Sequence, residues 1–273
     1  MRIVFTDLDG TLLGEKSYGY EAAQPALEAL RIRRIPLVLT SSKTRAEMEF
    51  WRRRLRIQDP FIVENGGAIL IPDGYFQFPL DANRRVNGHS VVELGCPHEL
   101  LVEVLAMASL ESGCRVLSFS EWNAEQISLR CGMPLEMAAL AKQREYDEPF
   151  EIQTPDPAAH RRLLDAIKGM GFVWTRGGRF YHITGGNDKY QAVSMLIRYY
   201  QRAYEEVSTL GLGDGLNDAA FLTAVDHPVV IASRNSGLLQ EAIPGARVTV
   251  QPGPAGWNRA VLDWLGQTAL VQR

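Results

Sequence analysis

The chain has 273 residues, 46% of them hydrophobic and 22% charged, a balance that builds a folded core and excludes extended disorder. Against 29 Lys and Arg stand 32 Asp and Glu, a formal net charge of −3, so no global basic field draws nucleic acid or anionic lipid, and neither is expected as a partner. Three cysteines in no C-x-x-C arrangement, an N-terminal apolar stretch that soon turns acidic and the lack of any 18-residue apolar run give the expectation of a cytoplasmic chain without signal peptide or membrane span.

Ile3 to Phe5 form a short apolar run that stops at Thr6-Asp7 and meets the turn-prone Asp9-Gly10, the pattern of a buried parallel strand. From Glu21 to Arg34, Ala23, Ala26, Leu27 and Leu30 fall at helical spacing, and Pro36 to Leu39 reads as the next strand, which completes a βαβ unit. A second helix, from about Thr44 to Arg56, carries Met48, Trp51 and Leu55 on one face. It leads to a third strand, Phe61 to Val63, ending at Glu64-Asn65-Gly66-Gly67. The arginines from Arg31 to Arg56 are interleaved with Glu47 and Glu49 and read as a solvated helix face rather than a nucleic-acid patch.

Near residue 80 the texture becomes polar and turn-rich, and the regular alternation returns only near residue 186. Residues 1–84 and 186–273 are therefore expected to form one α/β domain, a parallel sheet with helices on both faces, and 85–185 an inserted α+β domain. Within the insertion Val91 to Leu94, Arg115 to Phe119 and Phe150 to Gln153 read as strands, and 98–112, 134–144 and 157–170 as helices. After Lys189 come a helix from Tyr190 to Ala203, the strand Val207 to Leu210 running on to Gly213-Asp214, a helix, the strand Val229 to Ile231, and a last short helix beyond the loop Gln251 to Gly256.

The chemistry concentrates at strand ends. Asp7-Leu8-Asp9-Gly10-Thr11 puts two carboxylates two residues apart where ligands of open α/β sheets bind. Ionised together they repel, which a bound cation relieves, as does one carboxylate acting as nucleophile beside a protonated neighbour. A surface turn or a calcium-loop fragment fits that stretch taken alone. Gly211-Leu212-Gly213-Asp214-Gly215-Leu216-Asn217-Asp218 supplies further hard oxygen ligands suited to Mg²⁺, and its glycines miss the spacing of a dinucleotide loop. Thr40-Ser41-Ser42-Lys43 brings hydroxyls to the end of the second strand. Lys189 begins a helix, where its ammonium and the helix N-terminus address an anion together.

These segments, in this order, resemble the haloacid dehalogenase superfamily of aspartate-nucleophile phosphatases. Glu64 to Gly67 and the position of the insertion resemble its type IIB subgroup, which implies a Rossmann-like core with an inserted C2B-type α+β cap. Within that subgroup Ser41 to Arg45, Ala141 to Pro149 and Gly177 to His182 are similar to mannosyl-3-phosphoglycerate phosphatases.

The resemblance implies a phosphomonoester hydrolase in which Asp7 attacks phosphorus and Asp9 protonates the leaving alkoxide, then activates water. Ser41, rather than the adjacent Thr40, would hold the phosphate with Lys189 and Asn217, with Ser42 beside them. Mg²⁺ would be bound by Asp7, the Asp9 carbonyl, Asp214 and Asp218. The implied partner is a phosphorylated sugar, met in the insertion by Arg144, Arg179 and His182, since a guanidinium fork suits a glycerate carboxylate. Alternatively Arg144 pairs with Glu145 or Glu148, and His182 is a satisfied strand histidine. A general sugar phosphatase, a glucosyl-3-phosphoglycerate phosphatase and a phosphomutase remain alternatives. A non-enzymatic binding protein fits least, because Asp7, Asp9, Lys189 and Asp214 are all present.

Overall fold

A computed structural model describes residues 1–15, 17–176 and 180–267. In chain order it begins with β1 (Arg2–Thr6), α1 (Gln24–Ile32), β2 (Leu37–Thr40), α2 (Arg45–Leu55), β3 (Phe61–Val63), β4 (Ala68–Pro72), β5 (Arg84–Val86) and β6 (His89–Glu93). Then follow α3 (His98–Ser112), β7 (Val116–Ser118), α4 (Ala124–Cys131), α5 (Leu135–Ala141), β8 (Asp147–Ile152), α6 (Pro157–Gly169), β9 (Val173–Arg176) and β10 (Tyr181–Thr184). The last elements are α7 (Lys189–Ala203), β11 (Ser208–Gly213), α8 (Ala219–Leu222), β12 (His227–Val230), α9 (Ser236–Ala242), β13 (Arg247–Val248) and α10 (Gly253–Gln267). Two compact units result, one from Met1–Ser41, Ile57–Val92 and the chain from Asp188 onward, the other from Ser42–Arg56 and Glu93–Asn187.

The first unit is built on a nine-stranded sheet of order β13-β12-β11-β1-β2-β3-β4-β6-β5, parallel from β13 to β3 and extended by antiparallel pairings. Ile3, Val4 and Phe5 of β1 are fully buried, as a continuous apolar run must be in a central strand with neither face open to water. Register aligns Thr6 with both Leu39 of β2 and Leu212 of β11. The chain segments that follow these three strands therefore leave the sheet at one edge, where parallel α/β sheets carry their ligands.

Two expectations change here. The segment 84–93, expected to open the insertion with a strand at Val91 to Leu94, is a hairpin that continues the large sheet. Its turn is Asn87-Gly88, both left-handed at φ 48° and 74°, the geometry that Asn-Gly favours in two-residue hairpin loops. The helix after β2, expected in the first domain, belongs with the insertion. Thr44 Oγ1 donates to the Leu140 carbonyl at 2.9 Å, and Arg45 Nε donates to Glu145 Oε1 at 2.7 Å.

The second unit is an antiparallel sheet of order β7-β8-β10-β9. Leu101, Leu105, Leu163 and Ile167 of α3 and α6 are buried with Phe150 and Ile183 of the sheet in one core. The helix α4 was not expected, although Asn123 and Gln126 form a capping box that is legible in the sequence. The helix expected to reach residue 144 ends at Ala141, and just beyond it the Lys142 ammonium donates to the carbonyls of Phe119, Ser120 and Trp122. The short strands β9 and β10 were also not expected. Among the described residues no helix is long and apolar enough to cross a membrane.

Candidate active site

The sheet holds Asp7 in place from both directions. Its amide donates to the Leu212 carbonyl of β11 at 2.9 Å, and its own carbonyl accepts from Thr6 Oγ1 at 2.8 Å. That hydroxyl in turn accepts from Nε1 of the fully buried Trp257 of α10 at 2.9 Å. Beyond Asp7 the chain turns at Gly10, whose φ is +76° and where a Cβ would lie 2.6 Å from Asp214 Oδ2. Only glycine meets both conditions. Thr11 Oγ1 then donates to Asp214 Oδ1 at 2.7 Å and fixes that carboxylate.

After β11, the carboxylate of Asp218 folds back so that Oδ2 accepts from the amides of Asp214 and Gly215 at 3.1 and 2.9 Å. Its Oδ1 accepts from Lys189 Nζ at 2.6 Å, and the same ammonium donates to Asp7 Oδ1 at 2.7 Å. Lys189 is the first residue of α7, a helix capped by Asp188, whose Oδ1 accepts from Gln191 N at 2.8 Å.

The charges explain one another. Burial opposes the Lys189 ammonium, but the carboxylates of Asp218 and Asp7 outweigh it and hold its pKa above the usual lysine value. Burial pushes Asp7 well above the usual carboxylate range and Asp218 adds to this, while Lys189 pulls the other way and Asp214 raises it further. Asp214 is pushed up to about 6 by burial, against the hydrogen bond from Thr11 and with the help of Asp218. Asp7, Asp214 and Asp218 each offer an oxygen within 4.8 Å of the others. Three crowded carboxylates around one fixed ammonium form a hard, net-negative donor set that fits a divalent cation such as Mg²⁺.

The turn Glu64 to Gly67 joins the remaining parts of this edge. Glu64 and Asn65 are left-handed at φ 45° and 54°. The Asn65 amide donates to the Ser41 carbonyl at 3.0 Å, its side-chain Oδ1 accepts from Asn217 Nδ2 at 3.1 Å, and Gly66 lies against the Asp188–Lys189 backbone. Ser41 is buried, and its amide donates to the Ile62 carbonyl at 3.2 Å. The neighbouring Thr40 hydroxyl is buried with no hydrogen-bond partner among the described residues. Thr11, Asn65 and Gly66 are parts of the site to which sequence reasoning gave no role. The signal was present, since all three lie in the segments that carried the family resemblance.

Ser42, Arg144 and His182 come together in the second unit. Arg144 Nη1 donates to the Ser42 carbonyl at 3.0 Å and lies 3.4 Å from Asp147 Oδ2, with its side chain only 8% exposed. Asp147 is thus an acidic partner of Arg144 that the sequence reading did not offer. His182 Nδ1 bonds the same carboxylate. Arg179 lies outside the described residues.

Comparison with known proteins agrees with this geometry. The sequence profile described as haloacid dehalogenase-like hydrolase matches residues 4–83. The chain is 39% identical over 267 residues to a glucosyl-3-phosphoglycerate/mannosyl-3-phosphoglycerate phosphatase of Methanococcoides burtonii, covering 97% of each. It is 37% identical over 231 residues to a mannosyl-3-phosphoglycerate phosphatase of Pyrococcus furiosus, covering 85% of this chain and 91% of that one. In fold it is similar to a phosphatase of the haloalkanoate superfamily from Bacteroides thetaiotaomicron, with a TM-score of 0.66 at 17% identity over 96% of this chain and 94% of the other.

Proposed function

Since the chain belongs to the haloacid dehalogenase-like hydrolase family, we propose that it is a Mg²⁺-dependent phosphomonoester hydrolase that releases phosphate from a glycosyl-3-phosphoglycerate, mannosyl-3-phosphoglycerate foremost. The observation that carries this reading is the buried Lys189 ammonium between Asp7 and Asp218, with Asp214 beside them. One carboxylate is thereby held beside a fixed positive charge, as a nucleophile approaching an anionic phosphate requires. The names of the relatives supply the glycosyl-phosphoglycerate class. The net negative charge and three cysteines outside any disulfide suit work in the cytoplasm on a small metabolite.

Asp7 attacks phosphorus in line, and the bond from phosphorus to the glycerate oxygen breaks as Asp9 gives its proton to that oxygen. The carboxylate of Asp9 then takes a proton from water as the water oxygen attacks the aspartyl phosphate, which frees phosphate and restores Asp7. Lys189, Ser41 and Asn217 hold the phosphate oxygens through both displacements, with Ser42 next to them. Asp7, the Asp9 carbonyl, Asp214 and Asp218 would hold a divalent ion, which when bound would supply charge neutralisation.

The test is phosphate release, with Mg²⁺ and with EDTA, from mannosyl-3-phosphoglycerate, its glucosyl analogue, hexose phosphates and 3-phosphoglycerate, with Asp7→Asn as control. Strong preference for the glycosyl phosphoglycerates, lost in the variant, is expected. Weak release from every ester keeps the hydrolase and discards the substrate. Normal turnover by Asp7→Asn overturns the mechanism.

A further inference from the structure

Asp214 is held at every polar atom but one. Its amide donates to Asp218 Oδ2 at 3.1 Å, and its Oδ1 accepts from Thr11 Oγ1 at 2.7 Å. Its carbonyl accepts twice from the loop after β12, from Ser233 Oγ at 2.9 Å and from Asn235 Nδ2 at 3.3 Å. Among the described residues only Oδ2 accepts no hydrogen bond.

The loop that grips this carbonyl is itself anchored on both sides. Ile231, just past β12, donates its amide to the Gly213 carbonyl at 2.8 Å, so the chains leaving β11 and β12 start side by side. The Ala232 amide donates to Oγ1 of Thr249, just past β13, at 2.9 Å. Ser233 and Ser236 then close a turn of their own, the Ser233 amide donating to Ser236 Oγ at 2.8 Å and the Ser236 amide to the Ser233 carbonyl at 3.2 Å. A hydroxyl has one hydrogen to give. That of Ser233 accepts from the Asn235 amide at 3.1 Å and gives its hydrogen to Asp214.

The main chain of Asp214 is therefore fixed by the loop and its carboxylate by Thr11, so the ligand cannot shift outward to meet a wider ion. Mg²⁺ takes oxygens at about 2.0–2.1 Å in near-ideal octahedral geometry, whereas Ca²⁺ takes them at about 2.3–2.6 Å in flexible geometry, and rigid ligands favour the smaller ion. We propose that Ser233 and Asn235 are positioning residues for the cation, clamping the Asp214 main chain and thereby biasing the site toward Mg²⁺ over Ca²⁺. This rests on the Mg²⁺-dependent reading above and adds to it a source for the preference. Neither residue is a ligand. Both act through Asp214, as outer partners do when they tune a bound metal. Arg234, between them, lines the same cavity as Asp214 but is exposed.

The test is calorimetric titration of the full chain, freed of metal with EDTA and dialysed, with Mg²⁺ and with Ca²⁺, which gives the ratio of the two affinities. In Ser233→Ala the Mg²⁺ affinity is expected to fall about tenfold, the lower end for a lost outer partner, and the Ca²⁺ affinity much less. Asn235→Ala, which loses the longer bond, should move the ratio the same way by less. Ser233→Thr keeps the hydroxyl and should restore it. Arg234→Ala removes a neighbouring charge and should change both affinities alike, leaving the ratio where it was. Thermal unfolding of the metal-free variants measures the structural effect of each substitution separately.

A wild-type ratio in Ser233→Ala overturns the proposal even where the variant melts lower, since that is the result of a merely structural bond. A ratio moved as far by Arg234→Ala overturns it in favour of charge. Should Ser233→Ala not fold, Asn235→Ala decides on the same ratio. A wild type that binds neither ion and releases phosphate equally well in EDTA overturns the Mg²⁺-dependent reading and this inference with it. A wild type that needs Mg²⁺, beside folded variants that keep its ratio, overturns this inference alone.

Discussion

Gly66 and Asp188 meet so closely that a Cβ on Gly66 would lie 2.0 Å from the Asp188 carbonyl oxygen, and Gly66 is itself left-handed at φ +92°. The turn after β3 therefore sets where α7 begins, and with it where the Lys189 ammonium emerges. Gly66→Ala has nowhere to place its methyl group. We expect a loss of about 2 kcal/mol or more in urea denaturation, from overpacking and backbone strain together. Activity should fall further than stability predicts, because Lys189 moves with the helix start. An alanine variant of wild-type stability and turnover would show that the contact does not position the lysine.

Lys189→Met removes the ammonium that bonds both Asp7 and Asp218. Breaking a buried pair from one side costs about 3–5 kcal/mol, and kcat should fall at least about a hundredfold with the loss of charge stabilisation. The sign with pH follows from Asp7. Lys189 lowers a carboxyl pKa that burial and Asp218 raise, so without the lysine it rises further. A group raised in the folded state favours folding while protonated and loses that contribution as it ionises. The deficit in melting temperature should therefore be largest near neutral pH and shrink as the pH falls. A deficit independent of pH would contradict this account.

Asp214 gives a pH dependence to the effect of the metal. Its pKa rises from 3.8 to about 6 in the fold, so its contribution to stability is present below the lower value and lost as pH climbs through the upper one. Without a divalent cation the protein should lose stability over that interval. Mg²⁺ competes with protons for the same oxygens, so it should raise the melting temperature more at pH 7.5 than at pH 5. Thermal unfolding in Mg²⁺ and in EDTA at both pH values checks this, and equal increments would remove Asp214 from the binding set.

Thr11 orients Asp214 through its 2.7 Å hydrogen bond. Thr11→Val keeps the shape and removes the donor. Loss of a partner that orients a metal ligand typically costs about 10–100-fold in affinity, so titration calorimetry should show weaker Mg²⁺ binding by about that factor. The maximal rate at saturating Mg²⁺ should change much less, and an unchanged Mg²⁺ affinity would mean that Asp214 needs no such support.

The sequence by itself determined the α/β class and the chemical parts of the site. Ile3 to Phe5 read as a strand buried on both faces, and Asp7, Asp9, Lys189, Asp214 and Asp218 stand out by residue type and order. These are local properties, written in composition and spacing. The tertiary structure decided what depends on a distant partner. Lys189 bridges Asp7 and Asp218 because β1 and β11 are neighbours in register. Asn65 reaches Ser41 and Asn217 because a left-handed turn puts it there. Asn87-Gly88 reads equally well as a linker or as a hairpin, and only the place of β6 beside β4 in the sheet chose between them. The contact of Arg144 with Asp147, three residues on in sequence, depends on how the chain turns into β8. Spacing alone does not encode such pairings, since a side chain's partner is set by which backbone segments the fold brings within hydrogen-bond reach.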